Sequence, residues 1–178
     1  MYIIKSTKDN PAYQARGACL EFIYSREHEV ILSGPSETGK TLAASWKIHT
    51  LATKYPGAQI AIVRKVAADL HGTVLQTFDK VINPEVKTYG GQRVDQYNYP
   101  NGSVIWTGGM DHPGKVLSGE RDIIYVCQAE QLSLDDWETL TTRTTARAAN
   151  VPYSQLIGDC NPDRISNKTR KRANADSP

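Results

Sequence analysis

The chain has 178 residues, 39% of them hydrophobic and 22% charged, a length and composition that suit one soluble α/β domain with a sizeable core. A net charge of +2 excludes a polycation, so any nucleic-acid contact must come from a local patch. No apolar run approaches membrane-spanning length, no signal-peptide core opens the chain, and Cys19, Cys127 and Cys160 lack a C-x-x-C spacing. A cytoplasmic protein with reduced thiols and no membrane partner is the expectation.

In chain order, a polar entry leads to a helix over about Pro11 to Tyr24. Glu29–Ser33 reads as the first strand, and the apolar spacing of Leu42, Ala43, Trp46, Ile48 and Leu51 predicts a helix running to Lys54. Tyr55-Pro56-Gly57 is a turn. Gln59–Val63 is a buried strand ended by Arg64-Lys65, and Ala67 to Val81 reads as one helix. Gln96–Trp106 reads as a hairpin around Asn101-Gly102. Asp122–Cys127 is another strand. Ser133 then caps a helix that carries Asp135 and Asp136 in its first turn. Ser154–Gly158 is a short last strand, followed by Asp159-Cys160-Asn161-Pro162. Alternating strands and helices predict a mainly parallel sheet with helices on both faces, plus an antiparallel pair at an edge. Residues 1–163 form the expected domain. Residues 164–178, with five basic side chains between Arg164 and Arg172 and no acidic ones there, read as a basic, flexible tail.

Between the first strand and its helix lies Gly34-Pro35-Ser36-Glu37-Thr38-Gly39-Lys40-Thr41, which fits G-x-x-x-x-G-K-[ST] in every fixed position. Strand, glycine loop and helix are the context this phosphate-binding loop requires. Its backbone N–H groups turn inward at a helix N-terminus, where the dipole favours anions. Lys40 is the candidate for neutralising the β- and γ-phosphates of ATP, and the Thr41 hydroxyl for binding Mg²⁺. Glu37 is the discordant residue, because a carboxylate beside triphosphate is repelled unless it points away.

Hydrolysis needs a second strand ending in acids. The strand at Ile123–Val126 ends instead in Cys127-Gln128, and Glu130 is the nearest carboxylate. Glu130 is thus the candidate second Mg²⁺ ligand beside Thr41. Gln128 can hold a water but cannot accept its proton. Arg64, leaving a buried strand at the edge where α/β sheets bind ligands, is a phosphate or DNA candidate. His28, His49, His71 and His112 have no metal-ligand spacing. Trp46, Trp106 and Trp137 read as packing residues, and Arg143 as a surface or subunit-contact charge.

Taken in order, these pieces over residues 10–163 resemble the ATPase domain of the large terminase subunit of tailed bacteriophages, a P-loop NTPase of the RecA/ASCE type. Tyr13-Gln14 resembles the adenine-reading element, with Gln14 the reader. Val63-Arg64-Lys65 resembles the arginine-bearing segment, and Asn101–Trp106 the "N-G-S-x-I" hairpin strand. Ile124 to Trp137 resembles the Walker B strand with the helix after it. Asp159-Cys160-Asn161-Pro162 resembles the coupling motif, with Asp159 and Asn161 in it. The resemblance implies ATP and Mg²⁺ as cofactors. It implies as partners double-stranded DNA, further copies in a ring, a portal protein and a small terminase subunit, and as location an infected bacterial host cell.

Departures qualify it. Gln128 stands where the family carries its catalytic glutamate. Three readings follow: Glu130 serves from a shifted strand end, the chain binds ATP and hydrolyses it poorly, or Gln128 is a Glu→Gln replacement that traps nucleotide. The family's arginine finger falls on Leu117-Ser118, so Arg121 and Lys115 are the nearest candidates. The family's His-Trp element and nuclease domain are not found after Pro162, so an ATPase domain without the nuclease is expected. Alternatives are a nucleotide-binding module with impaired hydrolysis and another DNA-translocating P-loop ATPase.

Overall fold

A computed structural model of the chain describes residues 13–149 and 151–161. The basic tail lies outside the described residues. Among the described residues seven strands form one sheet: β1 (Glu29–Ser33), β2 (Gln59–Arg64), β3 (Lys87–Tyr89), β4 (Gln96–Asn98), β5 (Val104–Gly109), β6 (Ile123–Val126) and β7 (Gln155–Cys160). Their spatial order is β1-β7-β6-β2-β5-β4-β3. The five from β1 to β5 in that order are mutually parallel, and β4 and β3 add an antiparallel edge.

The central strands β2 and β6 are buried on both faces, which explains their apolar runs Ile60–Val63 and Ile123–Val126. Alternation divides the core in two. Ile60 and Ile62 of β2, Ile123 and Tyr125 of β6 and Ile157 of β7 pack with α1 (Ala18–Tyr24), α2 (Lys40–Lys54) and α4 (Val74–Asp79). Ala61, Val63, Ile124, Val126 and Leu156 face the other way. They meet Val116 of α5 (Gly114–Leu117) and Trp137 and Leu140 of α6 (Leu134–Arg143). Helices therefore cover both faces, and each interior has its own cluster. Trp46 and Trp137 are buried, and the indole N–H of Trp137 donates to Glu29 (3.0 Å).

Four local expectations change. Residues 67–81 break into α3 (Ala68–His71) and α4 at Gly72-Thr73, so no single helix spans them. Of the expected N-terminal helix, residues 13–17 are not helical and α1 begins at Ala18, while Pro11 and Ala12 lie outside the described residues. The last strand runs to Cys160 rather than Gly158, because β1 continues beside it and pairs Leu32 with Asp159 and Ser33 with Cys160. The hairpin acquires a third strand, β3, too short and polar to signal itself.

Asn101 and Ser103 secure the hairpin turn to the end of α2. The Asn101 amide donates to the carbonyls of Ala52 and Thr53 (2.8 and 3.0 Å), and the Ser103 hydroxyl donates to the Tyr55 carbonyl (2.8 Å). These are carbonyls that a helix C-terminus leaves without internal partners. The α6 N-terminus is closed by a capping box: Ser133 accepts from the Asp136 N–H, and Asp136 accepts from the Ser133 N–H. Among the described residues no helix is long and apolar enough to cross a membrane.

Candidate nucleotide site

The parallel strands deliver their C-terminal ends to one edge of the sheet. There Ser33-Gly34 from β1, Cys160-Asn161 from β7, Cys127-Gln128 from β6 and Arg64 from β2 come together. Open parallel sheets bind ligands at this edge.

The glycine loop turns from β1 into α2. Gly39 is left-handed (φ 83°), which a glycine adopts without steric cost, and its carbonyl accepts from the Ala43 N–H (2.9 Å) to start the helix. Glu37 is also left-handed (φ 63°) and exposed. Thr38 Oγ1 donates to the Pro35 carbonyl (2.8 Å), and the Gly34 N–H donates to the Cys160 carbonyl (3.3 Å). The buried Lys40 ammonium curls over the loop. It donates to the carbonyls of Gly34 and Pro35 (2.6 Å each) and to Asn161 Oδ1 (3.2 Å).

Beside it, the Thr41 hydroxyl donates to Asp159 Oδ2 (2.8 Å). Asp159 is 4% exposed and accepts two further hydrogen bonds, from the Tyr125 hydroxyl (3.2 Å) and the Gln128 N–H (2.8 Å). A cleft of about 160 Å³ is lined by Ser36, Lys40, Thr41, Gln128, Asp159 and Asn161, among others. Burial pushes the Cys127 and Tyr125 protons to higher pH, and in each case the nearby Asp159 carboxylate adds to the effect.

Gln128 itself is left-handed (φ 52°). Its side-chain oxygen accepts from the Arg64 guanidinium and from the Gln131 amide (2.6 Å). Arg64 is held in turn, donating to the Asp69 carbonyl (2.7 Å) and Thr73 Oγ1 (3.2 Å). So Arg64 meets Gln128 directly and no P-loop residue. Glu130 does not line the cleft. It reaches it through Asn161, whose amide donates to Glu130 Oε1 (3.3 Å), while Glu130 Oε2 is buried with no hydrogen-bond partner among the described residues.

The other candidates are scattered. Gln14 is exposed and accepts from Arg16 (3.3 Å). Its neighbour Tyr13 stacks on Trp46 of α2 with ring centroids 6.1 Å apart. Arg121 sits at the opposite, N-terminal end of β6, 5% exposed, with its guanidinium 5.3 Å from the Trp106 ring centre. Lys115 belongs to α5, and its side chain lies outside the described residues. Arg143 is exposed at the end of α6.

Sequence reasoning missed Tyr125 and Gln131, and it saw Asp159 only as part of a downstream motif. The signal for Asp159 lies in strand pairing. Val126 pairs with Gly158, so Cys127 and Asp159 are the next neighbours on the same face. Pairing between distant strands is not written in a local motif. Among the described residues no three His, Cys, Asp or Glu side chains are grouped to hold a metal on their own. A larger cleft of about 720 Å³, lined by His71, Arg93, Asp95, Asp111 and His112 among others, shares no residue with the P-loop.

No protein-family model matches the sequence, and no curated protein matches it. The fold does match solved structures. A large terminase from a thermophilic bacteriophage superposes with a TM-score of 0.65 at 12% identity, covering 82% of this chain and 38% of that one. The large terminase ATPase domain of Thermus phage P74-26 gives a TM-score of 0.59 at 18% identity, covering 83% and 65%. The HK97 bacteriophage large terminase gives 0.62 at 16% identity, covering 84% and 33%. The first of these three proteins has been solved in complex with ADP and with ATP-γ-S. The chain therefore has the fold of large-terminase ATPase domains and matches about 38% of the length of that first terminase.

Proposed function

We propose that the chain is the ATP-binding and ATP-hydrolysing motor domain of a phage large terminase, driving double-stranded DNA into procapsids. The observation that carries the reading is the P-loop at the C-terminal edge of the sheet, with Lys40 curled over its carbonyls and Thr41 bonded to a buried carboxylate. The nucleotide complexes of the thermophilic-bacteriophage terminase support ATP as the ligand. In this reading residues 34–41 bind the phosphates and Gln14 reads the adenine. Asn161, bonded to both Lys40 and Glu130, couples the nucleotide to the rest of the domain. DNA, further copies in a ring, a portal protein and a small terminase subunit are the partners, with an arginine supplied by the neighbouring copy.

The residues suit the chemistry in a definite way. Lys40 exchanges its carbonyl partners for phosphate oxygens when nucleotide enters. The loop N–H groups hold the phosphates at the α2 N-terminus. Gln128 orients a water by hydrogen bonding but takes no proton from it. Mg²⁺, if held beside Thr41 and Asp159, would supply neutralisation of the charge that develops on the phosphates. The Thr41 hydroxyl, its proton directed at Asp159, keeps its lone pairs for that cation.

One observation favours a second reading, a nucleotide-binding module with little hydrolysis. The Gln128 amide, at the position expected to supply the base, is gripped by Arg64 and Gln131. Measuring nucleotide affinity and phosphate release separately divides the two. A motor domain binds ATP and releases phosphate, with both lost in Lys40→Ala. Binding without release, even in an assembled ring, establishes the second reading. Unchanged binding in Lys40→Ala overturns both.

A further inference from the structure

The end of β6 offers a thiol and an amide where a P-loop ATPase needs acid. The missing carboxylate has a structural substitute one strand away. Cys127 and Asp159 are the next pair in the parallel register of β6 and β7, on the face that packs against α2. Adjacent strands lie roughly 4.8 Å apart. A carboxylate moved from one position to the other therefore shifts by about one strand spacing and stays at the same level of the sheet.

We propose that Asp159, from the end of β7, is the positioning carboxylate for the divalent cation that accompanies the nucleotide, acting through Thr41 and through cation-bound water. This rests on the reading of the P-loop as a nucleotide site. Asp159 lines the cleft, whereas Glu130 meets it only through Asn161. Oδ2 of Asp159 accepts the Thr41 proton at 2.8 Å, which turns the threonine lone pairs toward the phosphate side. The Tyr125 hydroxyl and the Gln128 N–H fix the carboxylate from β6, so it is held by the two strands together. One carboxylate suffices, because Mg²⁺ keeps several waters and takes its remaining ligands from substrate phosphates rather than from an all-protein cage. That agrees with the lack of a three-ligand cluster among the described residues. Cys127, fully buried beside Asp159, fills the vacated place with a small apolar side chain.

The test reads the cation directly. ADP affinity is measured by calorimetry with Mg²⁺ and with chelator. In parallel, Mn²⁺ replaces Mg²⁺, and its free paramagnetic resonance signal reports capture in the ternary complex. The wild-type chain is expected to bind ADP more tightly with the cation. Asp159→Asn is expected to lose about tenfold or more of that enhancement and to leave Mn²⁺ free, while its cation-free ADP affinity stays within about threefold. Thr41→Val should reproduce the loss and carries the test if Asp159→Asn does not fold, as judged by melting without nucleotide. Glu130→Gln should retain the enhancement. Cation enhancement that survives Asp159→Asn, or that disappears in Glu130→Gln alone, overturns the assignment. A wild-type chain that binds ADP equally with and without cation overturns it too, yet leaves the P-loop reading standing. A wild-type chain that binds no nucleotide under either condition overturns both.

Discussion

The ends of β1 and β6 face the same cleft but were built by different rules. After β1 every feature is local: Gly39 takes a left-handed turn, α2 starts one residue later, and Lys40 and Thr41 follow at fixed spacing. After β6 the chain also turns left-handed, at Gln128, but its contacts come from elsewhere. Arg64 of β2 holds the Gln128 side chain, Asp159 of β7 holds its N–H, and Gln131 closes the other side. The phosphate-binding half of the site is thus a property of eight consecutive residues. The half that would manage cation and water is distributed over three strands, so its acid can change strands without disturbing the sheet.

The largest expected effect breaks the local half. Lys40→Ala removes the lysine that lines the cleft and leaves backbone N–H groups to face triphosphate alone. Turnover should fall by about 10²–10³-fold or more, with nucleotide affinity falling as well. Steady-state phosphate release and a binding isotherm check it. The isolated chain should itself be slow, because an arginine finger supplied in trans is worth ~10³–10⁵ in turnover. Fast hydrolysis by a demonstrated monomer would contradict the need for a neighbour.

The next effect sharpens the distributed half. Gln128→Glu supplies a base where an amide now stands, and general-base assistance is worth ~10²–10⁴. The gain should sit toward the lower end, since Arg64 already grips this side-chain oxygen and would pair with the new carboxylate. It should appear in kcat with KM little changed, as expected for a group that acts in the transition state. If Gln128→Glu leaves kcat unchanged while Glu130→Gln eliminates the activity present, Glu130 is the working carboxylate and the functional end of β6 lies two residues further on.

How much of this was legible follows from the same division. The P-loop, the strand-helix alternation, the Asn101-Gly102 hairpin and the Ser133 cap depend on residues near one another in sequence, and the local pattern located them. The extension of β7 to Cys160 depends on pairing with β1, far away in the chain. The break at Gly72-Thr73 and the three-residue strand β3 have nearer partners, Arg64 and β4, but each is too short to impose a period. Asp159 was visible only as part of a motif after the last strand. Its contact with Thr41 spans 118 positions, and only the insertion of β7 between β1 and β6 makes it.

A smaller effect tests the packing behind the distributed half. Gly158 precedes Asp159 in β7, and a Cβ there would lie 3.2 Å from both Ala129 and the Trp137 ring. Those neighbours belong to the turn after β6 and to α6, which cannot withdraw without opening the second core. Gly158→Val should cost about 1–3 kcal/mol and lower the melting temperature. It should also weaken the cation dependence of ADP binding more than cation-free binding, because it shifts Asp159 and leaves the P-loop backbone alone. Equal loss in both would mean that the two halves are not mechanically separate.

The smallest effect concerns the base of the P-loop helix. Lys47 of α2 is 2% exposed, and its ammonium donates to the carbonyls of Phe22 and Ser25 (2.7 and 2.8 Å), close to the Phe22 ring. It thereby fastens α1 to α2 behind the phosphate site. Burial lowers its pKa from 10.5 to about 7. Between those values the unfolded chain holds the lysine proton and the folded chain does not. The unfolded state therefore binds more protons, and this residue makes stability rise as pH increases from about 7 toward 10.5. Cys127 and Cys160 act oppositely above about pH 9, since burial raises their thiol pKa values. Lys47→Met keeps an unbranched side chain, one atom shorter, and removes the titration, so the difference in pH slope between the two proteins isolates the lysine. Urea unfolding at about pH 7 and about pH 9 should show the wild type gaining on the variant by on the order of 1–2 kcal/mol. The mutation also leaves the Phe22 and Ser25 carbonyls without this donor, which lowers the variant's stability at both pH values but adds no slope. Parallel curves for the two proteins would mean that Lys47 stays protonated in the fold, held by those carbonyls at the end of α1.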